Sequence, residues 1–87
     1  MIDFKSMLDT EKVADVILFL SGRRDNGISH PQLDGYCTSH ISNIELIALV
    51  KSMREDGLII SNAKGGYKKG PNWKAPVFVT EKKYGIE

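Results

Sequence analysis

The chain contains a single cysteine, Cys37, so it has no second thiol for an internal disulfide. A fold held together by disulfides is excluded, and one lone thiol is typical of the reducing cytoplasm. No apolar run approaches the roughly 20 residues that a membrane-spanning helix needs. The beginning of the chain has two acidic residues in its first nine and no basic run, which argues against a signal peptide. These absences predict a cytoplasmic protein that does not enter a membrane.

Acidic side chains are missing between residues 57 and 80, a stretch called the basic segment below. Its four lysines give it a formal charge of +4, whereas residues 1–56 hold six basic and nine acidic side chains. The whole chain is almost neutral, with a net charge of +1. A local basic patch can attract a polyanion even when the net charge is small. The alternative is that these lysines only keep a surface loop soluble.

The length of 87 residues predicts one domain with one small core. Apolar residues at helical spacing predict the first helix over residues 10–21, and further apolar residues beside that stripe predict that it is central or covered on two sides. Asp9 or Thr10 can cap this helix, and Gly22 can end it in a left-handed conformation. Residues 1–8 predict a short helix or an apolar arm.

A second, short helix is predicted over residues 31–36, because Pro31 fits the first turn of a helix, where its missing N–H costs nothing. Ile28 in front of it predicts a very short strand. The residues from Cys37 to Ile41 would then form the turn into the next helix.

The third helix, predicted over residues 43–56, has the strongest local signal. Ser42 and Glu45 have the spacing of a capping box, in which each side chain bonds the other residue's backbone amide. Gly57 is the expected stop. A hairpin, called the wing, is predicted over residues 58–80. It would begin with the apolar strand 58–60, pass through a loop of glycines and lysines, and return through Val77-Phe78-Val79-Thr80.

This order of elements resembles the winged helix-turn-helix regulators of bacteria, most closely the multiple-antibiotic-resistance and phenolic-acid repressors. The likeness is carried by Met53-Arg54-Glu55-Asp56-Gly57-Leu58-Ile59, which ends the third helix, and by Val79-Thr80-Glu81-Lys82-Lys83-Tyr84-Gly85 after the wing. The second motif has one residue more before its glycine than the families have. The resemblance implies an α+β fold, a three-helix core with a C-terminal β-hairpin wing. It also implies a DNA-binding transcriptional regulator with no catalytic activity, metal or cofactor.

In such a regulator the helix 43–56 is the recognition helix in the major groove of double-stranded DNA, and the wing contacts the backbone. Asparagine can pair with adenine, serine can bond bases or phosphate, and lysines neutralise phosphates. Two side chains have an open alternative: Ser42 as a helix cap only, and Trp73 as an anchor that closes the wing onto the core. The residues that the resemblance and the charge pattern assign to DNA are Arg23, Arg24, Ser39, His40, Ser42, Asn43, Lys51, Lys64, Tyr67, Lys68, Lys69 and Lys74.

Acidic residues in the predicted recognition helix favour a different partner. Glu45, Glu55 and Asp56 stand there against only Lys51 and Arg54, and a carboxylate facing the groove repels phosphate. The alternative is a protein–protein interaction module on the same fold, of the kind found in small phage or plasmid accessory proteins.

Two further hypotheses concern assembly and chemistry. A homodimer is expected, because one such module makes few DNA contacts, and its interface would be the arm 1–8 or the first helix. His30, Cys37 and His40 lie close in sequence and could form a thiol–imidazole pair or a metal site. The absence of a second cysteine and the small size of the chain favour a buried, inert Cys37 instead.

Overall fold

A computed structural model describes residues 3–23, 27–38, 40–62 and 65–86, and it has the α+β class that the sequence predicts. Within these residues no helix is long and apolar enough to cross a bilayer. The elements of the described residues, in chain order, are α1 (Phe4–Thr10), α2 (Val13–Gly22), β1 (Ile28–Ser29), α3 (His30–Cys37), α4 (Asn43–Glu55), β2 (Ile59–Ser61), β3 (Gly66–Lys69) and α5 (Val77–Thr80).

The N-terminal region forms two helices: α1 matches the short-helix alternative predicted for residues 1–8, and α2 is the helix predicted over residues 10–21, which begins only at Val13. Asp3 caps α1 by accepting the amide of Ser6 at 3.1 Å, and Lys12 precedes α2 without a side-chain cap. The predicted caps Asp9 and Thr10 are therefore wrong, since both residues lie in the last turn of α1. Gly22 closes α2 without a left-handed turn, because the helix continues into a right-handed Arg23 (φ −72°).

The apolar residues of α1 belong to the protein's own core. Met7 is fully buried, and the ring of Phe4 lies 5.0 Å from that of Tyr36 and 6.3 Å from that of Phe19. Most of α2 is buried as well, from Val16 to Ser21. The prediction that the first long helix is covered on two sides is confirmed. The described part of the arm, from Asp3 onward, and this helix thus pack their buried apolar side chains within one molecule. The homodimer interface predicted for the arm or the helix stays a prediction.

The middle of the chain follows the sequence prediction closely. Ile28 lies in a two-residue strand, and α3 covers the predicted residues 31–36 with Pro31 in its first turn. The helix predicted over 43–56 is α4, whose buried side is formed by Leu46, Val50 and Met53. Gly57 ends it in the left-handed region at φ +75°.

The three strands of the described residues form one antiparallel sheet in the order β1-β3-β2. β2 and β3 make a hairpin in which Ile59 lies opposite Lys69, and β3 also pairs with β1, placing Gly66 opposite Ser29. The returning strand is therefore 66–69, in the middle of the predicted lysine-rich loop. The prediction of a wing spanning 58–80 with a strand over 77–80 is wrong, because those last residues form α5 and bury Phe78 in the core.

Candidate nucleic-acid interface

The N-terminus of α4 is held by Ser42, whose Oγ accepts the backbone amide of Glu45 at 3.2 Å. The reciprocal half of the predicted capping box differs. The Glu45 carboxylate accepts a hydrogen bond from the Ser42 hydroxyl at 3.2 Å rather than from the Ser42 amide. The arrangement still fixes the start of the helix, and it holds one of the helix's carboxylates close to the cap. As the cap of α4, the Ser42 side-chain oxygen is thus already bonded to Glu45.

The outer side of α4 is open to solvent. Asn43 and Lys51, both predicted to contact DNA, are exposed there. So are two large apolar side chains that the sequence interpretation did not single out: Ile44 is 80% exposed and Ile47 is 51% exposed. The helical period that predicts the buried side of α4 also places Ile44 and Ile47 off that side. Their exposure could therefore have been predicted from the sequence.

The hairpin carries the lysines of the basic segment that the structure describes. Lys68 is half-buried, Lys69 is exposed with its Nζ 4.4 Å from the ring centre of Trp73, and Lys74 is exposed beyond the hairpin. None of the three has a carboxylate partner among the described residues. Lys68 and Lys69 are adjacent in a strand, so their side chains leave the hairpin on opposite faces. Lys64 lies outside the described residues.

Tyr67 and Trp73, the two aromatic residues that lie among the lysines, are tied to the core. The Tyr67 hydroxyl lies 2.9 Å from Nδ1 of His30, which connects β3 to the start of α3. Trp73 is half-buried and donates its Nε1–H to the carbonyl of Leu18 at 2.8 Å. Of the two roles open to Trp73, its position matches the anchor that closes the hairpin region onto α2. Tyr67 is half-buried, and its hydroxyl is bonded within the fold.

The other predicted DNA contacts are dispersed or lie outside the description. The Arg23 guanidinium is exposed and stacks over the rings of Phe4 and Phe19, at 5.5 and 5.9 Å. His40 bonds Asp9 through Nε2 at 2.9 Å, which ties α1 to the residues just before α4. Arg24 and Ser39 lie outside the described residues. Two groups of predicted contacts are therefore left exposed on neighbouring elements: Asn43 and Lys51 on α4, and Lys69 on the hairpin that follows it.

The residues of the thiol or metal hypothesis do not converge. Cys37 is fully buried, whereas His30 and His40 are engaged with Tyr67 and Asp9. In the ranges that the structure describes, no three His, Cys, Asp or Glu side chains are placed to hold a metal ion. Burial, with a smaller contribution from the Asp34 carboxylate, raises the pKa of the Cys37 thiol from 9.0 to about 11. Such a thiol is a poor nucleophile at neutral pH.

The raised pKa of Cys37 predicts a specific loss of stability in alkali. Below pH 9 the thiol is protonated in both states. Between about pH 9 and pH 11 it ionises first in the unfolded chain, so the free energy of unfolding falls as the pH rises. By about pH 10 the expected loss is on the order of 1 kcal/mol relative to Cys37→Ala. Urea unfolding of both proteins at several pH values measures it, and curves that stay parallel would contradict the assignment.

Comparison with protein-family models, with curated proteins and with solved structures finds no match to this chain. The assignment of function therefore depends on the geometry of α4 and the hairpin.

Proposed function

We propose that this protein is a small winged-helix DNA-binding protein, a transcriptional regulator that places α4 in the major groove and its β2–β3 hairpin along the backbone. The observation that carries the proposal is that α4 and the β2–β3 hairpin are neighbouring elements. A capped helix with a bare outer face is followed directly by a hairpin whose lysines have no carboxylate partner among the described residues. Helix followed by lysine-bearing hairpin is also the order that the sequence resemblance implies.

The sheet order supports the same arrangement. β3 is the central strand, held between β1 and β2, so the hairpin is part of the sheet and is not a free loop. Arg54 at the end of α4 donates from Nη1 to Oγ of Ser61 at 3.2 Å, which links the helix to β2. A helix and a hairpin held together in this way can approach one duplex as a unit. Phosphates line both sides of a groove, so lysines on both faces of the hairpin can reach them.

Salt dependence tests the proposal. Each lysine–phosphate contact contributes about 0.9 to the slope of log affinity against log salt concentration. Lys68→Ala combined with Lys69→Ala should therefore flatten that slope by about 2 units, measured by fluorescence anisotropy with a labelled duplex. The charge-matched control is Lys5→Ala with Lys12→Ala, two exposed lysines of the N-terminal region, which should leave the slope unchanged. Absence of duplex binding at low salt would reject the proposal.

A second candidate is a protein-interaction module on the same fold. The exposure of Ile44 and Ile47 favours it, because adjacent exposed isoleucines often mark a surface that a partner covers. Binding that depends on apolar burial changes little with salt, whereas binding through lysines weakens steeply. The same titration therefore separates the two functions.

A further inference from the structure

Ile44 and Ile47 form an apolar strip on the outer face of α4. They are three residues apart, so their side chains are neighbours on the helix surface, and the small Ala48 beside them is also exposed. The other large apolar side chains exposed in the described residues, Ile60 and Val77, lie on different elements. The strip thus lies on the one helix that the proposed function places against base edges.

The amide group that precedes this strip, that of Asn43, matches the edge of a particular base pair. Asn43 precedes it in the first turn, and Lys51 follows one turn after Ile47. In the major groove an A·T pair offers an acceptor and a donor on adenine, which an asparagine amide bonds in bidentate fashion. It also offers the C5 methyl of thymine, an apolar group that a G·C pair does not have.

We infer, on the basis of the proposed function, that α4 recognises A·T base pairs, with Ile44 and Ile47 against thymine methyl groups and Asn43 on the adenine edge. A protein groove is a poorer fit for this face. A helix that docks in such a groove presents anchors at i, i+3, i+4 and i+7, and the i+7 position from Ile44 is the charged Lys51. The lysines of the hairpin that follows α4 have no carboxylate partner in the described part of the chain, which also favours a polyanion over an apolar groove.

Deoxyuridine provides the test, because it differs from thymidine only by lacking the C5 methyl. The probes are an alternating A·T duplex and the same duplex with every thymidine replaced by deoxyuridine. Loss of each buried methyl contact should weaken binding about fourfold. The double variant Ile44→Ala, Ile47→Ala should bind both duplexes almost equally. Val77→Ala, which removes an exposed apolar side chain from α5, serves as the matched control and should keep the preference.

The outcomes separate this inference from the function on which it rests. Binding of both duplexes with equal affinity by the unmodified protein would overturn A·T recognition through methyl groups and leave DNA binding in place. If the double variant still preferred the thymidine duplex over the deoxyuridine duplex, recognition through Ile44 and Ile47 would likewise be overturned, and DNA binding would remain in place. Failure to bind either duplex at low salt would reject both the A·T inference and the proposed DNA-binding function. If the double variant instead changed the mass of the protein in solution without changing duplex preference, the strip would be a contact between two copies of the chain.

Discussion

Replacing Phe78 by alanine should lower the free energy of unfolding by about 3–5 kcal/mol, a cost typical of removing a buried aromatic ring. The ring is 1% exposed and stands edge-on to Phe19 at 5.7 Å and to Tyr84 at 5.8 Å. Its loss leaves a cavity between α2 and the C-terminal residues. Domains of this size have a total stability of about 5–15 kcal/mol, so the variant should be close to unfolding. Urea denaturation with an unchanged m value measures the loss.

The control for this experiment lies one residue away. Val77 is 68% exposed, and Val77→Ala should change stability by no more than about 0.5 kcal/mol. In a strand over 77–80, Val77 and Val79 would share one face and Phe78 would point to the other. In α5, by contrast, Val77 faces solvent while Phe78 is buried and Val79 is half-buried. A similar cost for Val77→Ala and Val79→Ala would favour the strand over the helix.

The error at residues 77–80 shows where local reasoning fails. Val-Phe-Val-Thr has the composition of a strand. It nevertheless forms one helical turn after Pro76, and this turn places the Phe78 ring in the core. The strand that does pair, Gly66-Tyr67-Lys68-Lys69, has almost no strand signal. The position of this strand is determined by β1 and β2, with which it pairs on either side. Neither fact can be derived from the composition of the segment alone.

Helix α4 was more accessible to prediction than the hairpin. The Ser42 cap, the Gly57 stop and the buried side of α4 follow from spacing within about four turns of one helix, so local rules suffice. The contact from Trp73 to the carbonyl of Leu18 joins residues far apart in sequence. The same is true of the bond between Tyr67 and His30. Such pairings depend on the whole fold, so the sequence could only offer alternatives for Trp73.

Gly66 is a residue at which the sheet is sensitive to a single added carbon atom. β1 and β3 approach so closely there that a Cβ on Gly66 would lie 2.6 Å from the Cα of Ser29 and nearer still to the carbonyl oxygen of Ile28. Both neighbours are backbone atoms, which cannot move away as a flexible side chain can. Gly66→Ala should therefore break the pairing of β1 with β3 or shift β1 as a whole, at a cost of about 3 kcal/mol or more.

Hydrogen exchange gives the local result of Gly66→Ala, and urea denaturation gives the global one. Amides that pair β1 with β3 should lose protection. Gly35→Ala is the matched control, because Gly35 lies in α3 with nothing within 4 Å of the added methyl group. Alanine is the better helix former, so this variant should be more stable by about 0.5–1 kcal/mol. Two glycines changed in the same way should thus shift stability in opposite directions. If Gly66→Ala were neutral, β1 would not be held against β3, and the proposal that the hairpin and α4 approach DNA as one unit would lose its structural support.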